Sequence, residues 1–520
     1  MSVAREPRTG VTHADVLLCL ALASAAVVVT LYNWPLYMQD VDVFMLISRR
    51  ILAGQVLYRD FWMAYPPGLF YLYAGLMKLF GISHQVIKLS AVVMFAAVPP
   101  MMYLVTRRYA SIAAALFAAV LAIAAYPPSH KVVIPFFSVT TLWVISSLER
   151  GATRARLVAA GVNIGMAVLF KHEIGFLLSL AVLACVWFAP AETALAVRRR
   201  IARIAWYVAG VLLPVLPTVI YFWFRRALKP FAYDLIVEPF YAVSGMSISI
   251  KPPLSGGLSA ITGAWQQEVV SHVVYLAPVV YAVILLGTAG RVLRGRSSGR
   301  GFFLFCGALV GCATLVNWIG RTDFPHIRQG ILPLFVLLAI GLDSLLARLR
   351  DRRPAALAFR LAGAVAIVGY GLWFAAAGLS GKCLRPSAVR LEQVSSVSPA
   401  LQEVVAYLDS NVGAEETIFV TPRAMDIYNL TGRLNPFKYG DIFPGVFGRY
   451  PRKAESELVA DLQAKADVVV LDIYPWTAEP DRNELSEYAP LVNSWIQDEC
   501  RPVARVANRY DILRRVDPQR

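Results

Sequence analysis

Three carboxylates lie in one short stretch, Tyr37–Gly68, directly after the first long apolar run of the chain. They are Asp40, Asp42 and Asp60, and acidic residues are otherwise scarce near the apolar segments. An aspartate within hydrogen-bond reach of a hydroxyl or an amine can remove its proton and so act as a general base. The stretch therefore predicts acid–base chemistry by one of these aspartates, and the rest of the chain must position it.

The composition is typical of an integral membrane protein. Of the 520 residues, 58% are hydrophobic and only 16% are charged, against about 45–50% and about 25% in soluble domains. The net charge of +16 would also suit a nucleic-acid-binding protein. The arginines, however, cluster in short gaps between apolar runs, where they act as topology signals. We therefore expect a membrane protein that is surrounded by lipid and binds no nucleic acid.

Eleven apolar segments are candidates for membrane spans, which need about 20 mostly apolar residues. They cover roughly residues 15–36, 86–106, 109–126, 133–148, 157–171, 174–190, 204–224, 269–289, 302–319, 329–347 and 361–379. If the N-terminal tail is cytoplasmic, every second gap is short and carries arginines, as the positive-inside rule requires. This alternation predicts about 11 transmembrane helices and an extracytoplasmic C-terminal part.

The same alternation leaves four outward segments, 37–85, 126–132, 225–268 and 320–328, and a tight outer turn, Lys171-His172-Glu173. Outer-face cations and histidines include Lys131, Lys171, Arg225, Arg321 and His326. Charged residues in the middle of spans would mark a transport pathway, and they are nearly absent. The distribution therefore favours chemistry at the outer interface.

Residues 42–52 mix apolar side chains with Arg49 and Arg50, a pattern that predicts an interfacial amphipathic helix with its arginines toward the lipid headgroups. Asp40 and Asp42 would lie at its N-terminus, where aspartate is a favoured cap. Capping is compatible with catalysis, because a helix N-terminus also lowers the pKa of a carboxyl group and keeps it ionised.

The second half of the first outer segment contains a proline pair and several aromatic residues. Pro66-Pro67 predicts the end of any helix and a rigid extended turn. Most of the aromatic residues, Tyr58 among them, are expected in the aromatic belt of a membrane interface.

Residues 380–520 differ in composition from residues 1–379 and predict a separate α/β domain. Helices are expected at 401–408, where Ser398 would be the cap, at 454–463 and at 484–495. Strands are expected at 417–421 and 467–472, and a hairpin at 505–514. Cys383 and Cys500 lie in this part and could form a disulfide if it is extracytoplasmic. The histidines and cysteines show no metal-ligand spacing, so we assign no metal.

The residue order in the first outer segment resembles the first periplasmic loop of bacterial GT-C glycosyltransferases. It runs from Asp40 through a helix of the I-S-R-R-I-L type to Tyr58-Arg-Asp-Phe and Pro-Pro-Gly68. The relevant branch is that of the protein O-mannosyltransferases and the lipid A aminoarabinose transferases, which are similar to glycosyltransferase family 39. The likeness returns at Arg321-Thr-Asp-Phe-Pro-His326 and in the terminal α/β part. The Asp-Glu pair of the family falls on Asp40 and Val41, so its second acid is missing here.

This resemblance implies a polytopic α-helical GT-C fold in the bacterial inner membrane, with catalysis at the extracytoplasmic face. It implies transfer of a sugar from a polyprenyl-phosphate donor to a hydroxyl or an amine of a glycan, lipid or protein acceptor. The implied step is a direct displacement assisted by an aspartate base, and it needs no cofactor. Asp40 is favoured as the base, and Asp42 is the alternative because it can compensate for the missing acid.

The leaving phosphate needs cations more than protonation, and arginine and lysine supply fixed positive charge. The resemblance favours Arg321 first for this role, and then Lys171, His326 and Lys131. It also implies substrate contacts for Tyr58, Asp60, Glu173 and Asp323, and Asp323 would alternatively orient Arg321. The simpler explanation for each outer cation is a side chain that reaches toward the headgroups.

Two other functions fit parts of the same pattern. A lipid or sugar transporter, or a flippase with an extracytoplasmic domain, would require charged mid-span residues or broken helices in matching halves. A non-catalytic assembly factor would use the C-terminal domain to bind a partner. Neither function needs the aspartate-bearing outer segment.

Overall fold

A computed structural model of the chain describes residues 10–33, 39–125, 129–189, 197–237, 265–318, 324–347, 354–379, 398–422, 424–440, 452–473 and 485–516. The contacts divide the chain into two compact units. The helical unit comprises Met1–Trp34, Leu89–Thr218 and Ile248–Val389. The sheet-containing unit comprises Pro35–Lys88, Val219–Ser247 and Arg390–Arg520. The first outer segment and residues 219–247 therefore belong to the same unit as the C-terminal residues.

The described part of the chain up to residue 379 is almost entirely helical. Its α-helices are α1 His13–Asn33, α2 Gln39–Leu52, α3 Gly68–Phe80, α4 His84–Ala96, α5 Val98–Arg107, α6 Ile112–Ala124, α7 Val133–Leu148, α8 Arg154–Phe170, α9 His172–Phe188, α10 Val197–Phe224, α11 Leu228–Ala232, α12 Trp265–Leu293, α13 Gly299–Thr314, α14 Phe324–Gly330, α15 Leu332–Ala347 and α16 Pro354–Leu379. Each of the eleven predicted apolar segments coincides with helix over most of its length.

Within the described residues, five helical stretches are long and apolar enough to cross a membrane: His13–Leu31, His84–Arg107, Val197–Phe224, Glu268–Leu293 and Gly299–Trp318. Six apolar helices of 10–17 residues accompany them. Several of the long helices leave large apolar side chains outside the protein core, and Leu286, for example, is 83% exposed. Such an apolar surface is stable when lipid covers it. The prediction of a polytopic α-helical membrane protein is confirmed, and the number of spans stays a prediction.

Helices α8 and α10 approach each other closely within the helical unit. A side chain at Gly161 of α8 would overlap the carbonyl oxygen of Tyr207 and lie 2.7 Å from the Cα atom of Gly210, both in α10. Small residues allow helix backbones to pack this tightly when no hydrophobic driving force exists between lipid and helix. The glycine pair thus determines where two neighbouring helices meet.

Some of the loops and helix ends that the arginine alternation assigns to one face of the membrane contact each other in the helical unit. Arg108 lies 3.6 Å from Glu149, and the backbone N–H of Ser111 donates to Asp343 over 3.0 Å. The guanidinium of Arg300 donates to the carbonyl oxygen of Ile340 over 2.9 Å. These contacts join the ends of helices that the alternation predicts to end on the same side.

The C-terminal residues form an α/β fold, as the sequence predicts. Its elements are α17 Pro399–Asn411, β1 Ile418–Thr421, α18 Asp426–Leu430, α19 Arg452–Lys465, β2 Val468–Asp472, α20 Leu485–Tyr488, α21 Pro490–Glu499, β3 Cys500–Val506 and β4 Tyr510–Arg515. The sheet order is β1-β2-β4-β3, in which only β1 and β2 are parallel. Ser398 caps α17 by accepting the N–H of Leu401.

Two local predictions differ from the structure. The predicted helix at 484–495 divides into α20 and α21 at Ala489, because Pro490 excludes the helical conformation for the residue before it. The pair Pro66-Pro67 does not set an extended turn but leads directly into α3, with Pro67 as its N-cap. Proline is tolerated there because the first N–H groups of a helix have no partner in the helix.

Candidate active site

Helix α2 carries two of the candidate carboxylates and is almost completely buried within the sheet-containing unit. Every described residue from Val41 to Ser48 is buried, and so is Arg50. The predicted helix is present at Gln39–Leu52. The expectation that Arg49 and Arg50 face the lipid headgroups is wrong, because both guanidinium groups bond carbonyl oxygens of the same unit.

The carboxylate of Asp42 is 2% exposed and is held by two side chains. Its Oδ1 atom lies 2.5 Å from Nε2 of His84, the first residue of α4. Nδ2 of Asn429, in α18, donates to the same Oδ1 atom over 3.2 Å and to the backbone oxygen of Asp42 over 2.9 Å. A buried carboxylate needs such donors because burial without them would disfavour its charge. Asp42 is therefore engaged inside the protein.

Arg49 and Arg50 bind α18 and the chain segment that follows it. Nη1 of Arg49 donates to the oxygen of Tyr428 over 2.9 Å, and its Nη2 donates to the oxygen of Gly432. Nη1 of Arg50 donates to the oxygen of Phe437 over 2.9 Å. Burial lowers the pKa of Arg50 to about 10, which leaves the guanidinium charged at neutral pH.

Tyr58 and Asp60, two predicted substrate contacts, both have partners in the sheet-containing unit. Tyr58 is fully buried, and its hydroxyl donates to the oxygen of Tyr65 over 2.9 Å. Asp60 accepts the backbone N–H of Val56 over 2.7 Å and forms an ion pair with Arg59. Hydrogen bonding from Arg59 lowers the pKa of Asp60. Both residues thus stabilise the turn after α2, and their contact with substrate stays a prediction.

Two predicted phosphate-binding residues meet in the helical unit, although 195 residues separate them. Nζ of Lys131 lies 3.0 Å from Nε2 of His326 in the short helix α14. Nδ2 of Asn317 donates to the backbone oxygen of His326 over 2.8 Å and to Oε1 of Gln329 over 3.2 Å. These two bonds tie α14 to the end of α13 and so position His326 opposite Lys131.

Trp318 adds a hydrogen-bond donor near the same helix. Its ring packs over Gly330, the last residue of α14, and a side chain at Gly330 would lie 3.1 Å from the indole nitrogen. The indole N–H is buried and has no hydrogen-bond partner within the described residues. A buried N–H without a partner is rare, and it can serve an anion.

The predicted turn Lys171-His172-Glu173 is a one-residue break between α8 and α9. Lys171 and Glu173 form an ion pair, and Nδ1 of His172 lies 3.2 Å from Oε2 of Glu173. Glu173 therefore neutralises part of the positive charge that the sequence assigns to this turn. A phosphate would have to compete with Glu173 for Lys171.

Several predicted site residues lie outside the described residues: the side chain of Asp40, Arg321, Asp323 and Cys383. Their roles stay predictions, as does the disulfide of Cys383 with Cys500. Cys500 itself is a buried thiol at the start of β3, and burial raises its pKa to about 11. Among the described residues, no group of three histidine, cysteine or acidic side chains could hold a metal ion.

Three residues near Asp42 were not predicted from the sequence. His84 and Asn429 bond its carboxylate, and Asp426 is affected by its charge. His84 is one of only six histidines in the chain and lies in the predicted outer segment. Its rarity and position could have marked it as a candidate site residue. Asn429 and Asp426 belong to a five-residue helix almost 390 residues away, and no local pattern marks them. Burial, and then the charge of Asp42, raises the pKa of Asp426 to about 7.

The whole chain resembles two crystal structures of ArnT from Cupriavidus metallidurans. One is bound to undecaprenyl phosphate, and it matches with a TM-score of 0.55 and 14% identity over 98% of this chain and 99% of that one. The apo structure matches with a TM-score of 0.55 and 14% identity over 96% and 98% of the two chains. ArnT is a lipid A aminoarabinose transferase of the GT-C family. The GT-C-like fold predicted from the sequence is thereby confirmed. No protein-family model and no curated protein matches the chain.

Proposed function

We propose that this protein is a membrane glycosyltransferase that uses a polyprenyl-phosphate-linked sugar as its donor. The observation that carries the proposal is the likeness to ArnT along nearly the whole length of both chains, including a structure with bound undecaprenyl phosphate. The aspartate-bearing helix α2 and the paired Lys131 and His326 supply the residue types that such a reaction needs. The acceptor is a hydroxyl or an amine of a glycan, a lipid or a protein.

The proposed reaction is one displacement at the anomeric carbon of the sugar. An acceptor oxygen or nitrogen forms the new bond to that carbon while the bond to the phosphate oxygen breaks. A carboxylate takes the proton of the acceptor, and the electron pair leaves with the polyprenyl phosphate. Such a base contributes typically 10²–10⁴-fold to the rate. No redox step or cofactor is required.

Asp40 is the proposed base, and Asp42 is the alternative. The position of Asp42 argues against a direct role, because one of its oxygens already accepts from Asn429 and lies against His84. Its pairing instead suits a residue that fixes the first turns of α2. Asp40 stands two residues earlier in the same helix.

Lys131 and His326 are the proposed ligands of the donor phosphate, together with Arg321 and Lys171. Nζ of Lys131 and Nε2 of His326 lie 3.0 Å apart, so one phosphate bound beside them could accept from Lys131 and, when the imidazole is protonated, from His326 as well. The buried N–H of Trp318 supplies a further donor in the same part of the helical unit. Lys171 is the weaker candidate because Glu173 already pairs with it.

We further propose that the enzyme lies in the bacterial inner membrane with its N-terminus in the cytoplasm. Residues 1–379 would form the membrane domain, and residues 380–520 an extracytoplasmic domain. The first outer segment, 37–85, would face the same compartment as the C-terminal domain. Cysteine labelling of intact spheroplasts at Asp498→Cys and at Arg154→Cys tests this orientation, since only the first site should react.

The decisive experiment offers the purified protein a panel of undecaprenyl-phosphate-linked, radiolabelled sugars with envelope lipid, glycan and protein fractions. We expect label to move to one acceptor class while free undecaprenyl phosphate appears. Asp40→Asn should reduce this transfer about 100-fold or more. Asp409→Asn removes an equivalent charge from an exposed position of α17 and should leave transfer unchanged.

Two outcomes would contradict the proposal. Full transfer by both Asp40→Asn and Asp42→Asn would exclude an α2 aspartate as the base. Movement of the labelled lipid across vesicles, with no transfer to any acceptor, would favour the transporter instead.

A further inference from the structure

We infer that the C-terminal domain positions the proposed catalytic helix, and that Asn429 and His84 are positioning residues for the transfer reaction. The inference rests on the proposed function, because it assigns to α2 the base of that reaction. Its structural basis is a set of bonds inside the sheet-containing unit that hold α2 at both ends. These bonds connect residues that local sequence does not relate.

The side-chain amide of Asn429 forms hydrogen bonds with two residues in different turns of α2. Its Nδ2 donates to the backbone and the side chain of Asp42, and its Oδ1 accepts from Nη1 of Arg49 over 3.2 Å. Asp42 and Arg49 are seven residues apart, which places them on one face about 10 Å apart along the helix. Because donor and acceptor ends both have partners, the orientation of this amide is determined by its contacts.

Further bonds anchor the second half of α2 and the following turn to the segment after α18. Besides Phe437, the buried Arg50 binds Oε1 of Gln55 over 2.6 Å and the backbone oxygen of Asp60 over 3.2 Å. The backbone N–H of Trp62 donates to the oxygen of Lys438 over 2.9 Å. The side chain of Trp62 belongs to the hydrophobic core of the α/β fold.

This anchoring concerns the first turns of α2 in particular. His84 and Asn429 both bond Asp42, and Asp42 lies within one turn of Asp40, the proposed base. The two donors are far apart in the sequence: His84, at the start of α4, lies 42 residues after Asp42, and Asn429, in the C-terminal domain, lies 387 residues after it. If either is lost, the buried carboxylate keeps one donor and the end of the helix gains freedom. A general base displaced by 1 Å can lose about 10²-fold in rate.

The test compares Asn429→Ala, His84→Ala and His84→Gln with wild type in the transfer assay. We expect Asn429→Ala and His84→Ala to lower kcat at least tenfold while the KM for the donor changes less than twofold. His84→Gln should recover most of kcat, because its amide nitrogen can still donate to Asp42. Asn411→Ala is the matched control, since the side-chain amide of Asn411 donates to the oxygen of Tyr407 in its own helix, at the exposed end of α17.

Hydrogen–deuterium exchange of the same purified proteins tests the inference independently of activity. Asn429→Ala should raise the exchange of peptides covering α2 about tenfold and leave those of the helical unit unchanged. Wild-type kcat in both alanine variants, or unchanged α2 exchange, would overturn the inference. If no donor supports transfer, the proposed function fails, and the exchange result still decides whether Asn429 holds α2.

Discussion

Asp426, at the start of α18, lies close enough to the buried Asp42 of α2 for the charge of Asp42 to act on its carboxyl group. Burial, and then the charge of Asp42, raises the pKa of Asp426 from 3.8 to about 7, although the N–H of Ile427 and the nearby Arg509 oppose the shift. The negative charge of Asp472 contributes to the rise in the pKa of Asp426. Near neutral pH, Asp426 therefore exchanges a proton at the place where the C-terminal domain holds α2.

This relationship predicts that Asp426→Asn stabilises the protein at high pH but not at low pH. The folded state favours neutral Asp426, so ionisation destabilises it progressively as the pH rises from about 4 to about 7. A shift of about three pKa units corresponds to about 4 kcal/mol, which is an upper limit for the gain. Thermal unfolding of the detergent-solubilised variants between pH 5 and pH 8 measures it.

Asp498→Asn, on the exposed face of α21, is the control for the loss of one charge. The difference between Asp426→Asn and wild type should grow with pH, whereas the control should run parallel to wild type. A constant difference at all pH values would mean that Asp426 does not titrate in this range.

The close contact of α8 and α10 predicts that Gly161→Ala is strongly destabilising. The added methyl group would overlap the backbone of Tyr207, and neither helix backbone can move without disturbing its neighbours. Overpacking of this kind costs typically 1–3 kcal/mol. Gly287→Ala in α12 is the matched control, because nothing lies within 4 Å of its added methyl group. Equal midpoints of thermal unfolding for the two variants would contradict the predicted contact.

Arg50→Met should destabilise the sheet-containing unit by about 3 kcal/mol. Methionine keeps much of the apolar volume but leaves the buried oxygen of Phe437 without the donor it has now. Arg505→Met removes an exposed partner of Asp511 and should change stability by less than about 1 kcal/mol. Limited proteolysis distinguishes the two, since only the first should release C-terminal fragments faster. Equal cleavage rates would show that Arg50 is dispensable.

Lys131→Gln should raise the KM for the polyprenyl-phosphate donor at least tenfold with a smaller effect on the acceptor KM. Glutamine retains length and a hydrogen-bond donor but lacks the charge that a phosphate requires. Lys465→Gln, at the exposed end of α19, should leave both constants unchanged. Initial rates at varied donor concentration measure the donor KM. An unchanged donor KM would contradict the role of Lys131 in phosphate binding.

Local patterns predicted the long apolar helices and the strands of this protein, but not α3 or the short helix α18. The apolar runs predicted the helices, because a backbone in lipid must satisfy its hydrogen bonds internally. The turn between β3 and β4 was readable from the asparagine at 508, which adopts a φ of 51°, a region where asparagine is among the residues best tolerated. Arg108 and Glu149, which the arginine alternation assigns to the same face, lie 3.6 Å apart in the structure.

The partners of polar side chains were not readable in the same way. The amphipathic pattern of α2 predicts that Arg49 and Arg50 leave the apolar face and reach the lipid headgroups, and the second part of that prediction is wrong. In the structure they bond carbonyl oxygens nearly 400 positions later in the chain. A guanidinium is satisfied equally by water, headgroups or buried oxygens, so its residue type does not distinguish them.

The sequence alone determined that this is a helical membrane protein with a C-terminal α/β fold and an aspartate-bearing helix after its first apolar run. Those properties follow from hydrophobicity and periodicity, which are local. Only the tertiary structure decided that Asp42 is held by His84 and Asn429 and that Lys131 meets His326. Such pairs depend on the packing of distant elements, because a hydrogen bond needs two atoms within about 3 Å and the linear sequence carries no such distance.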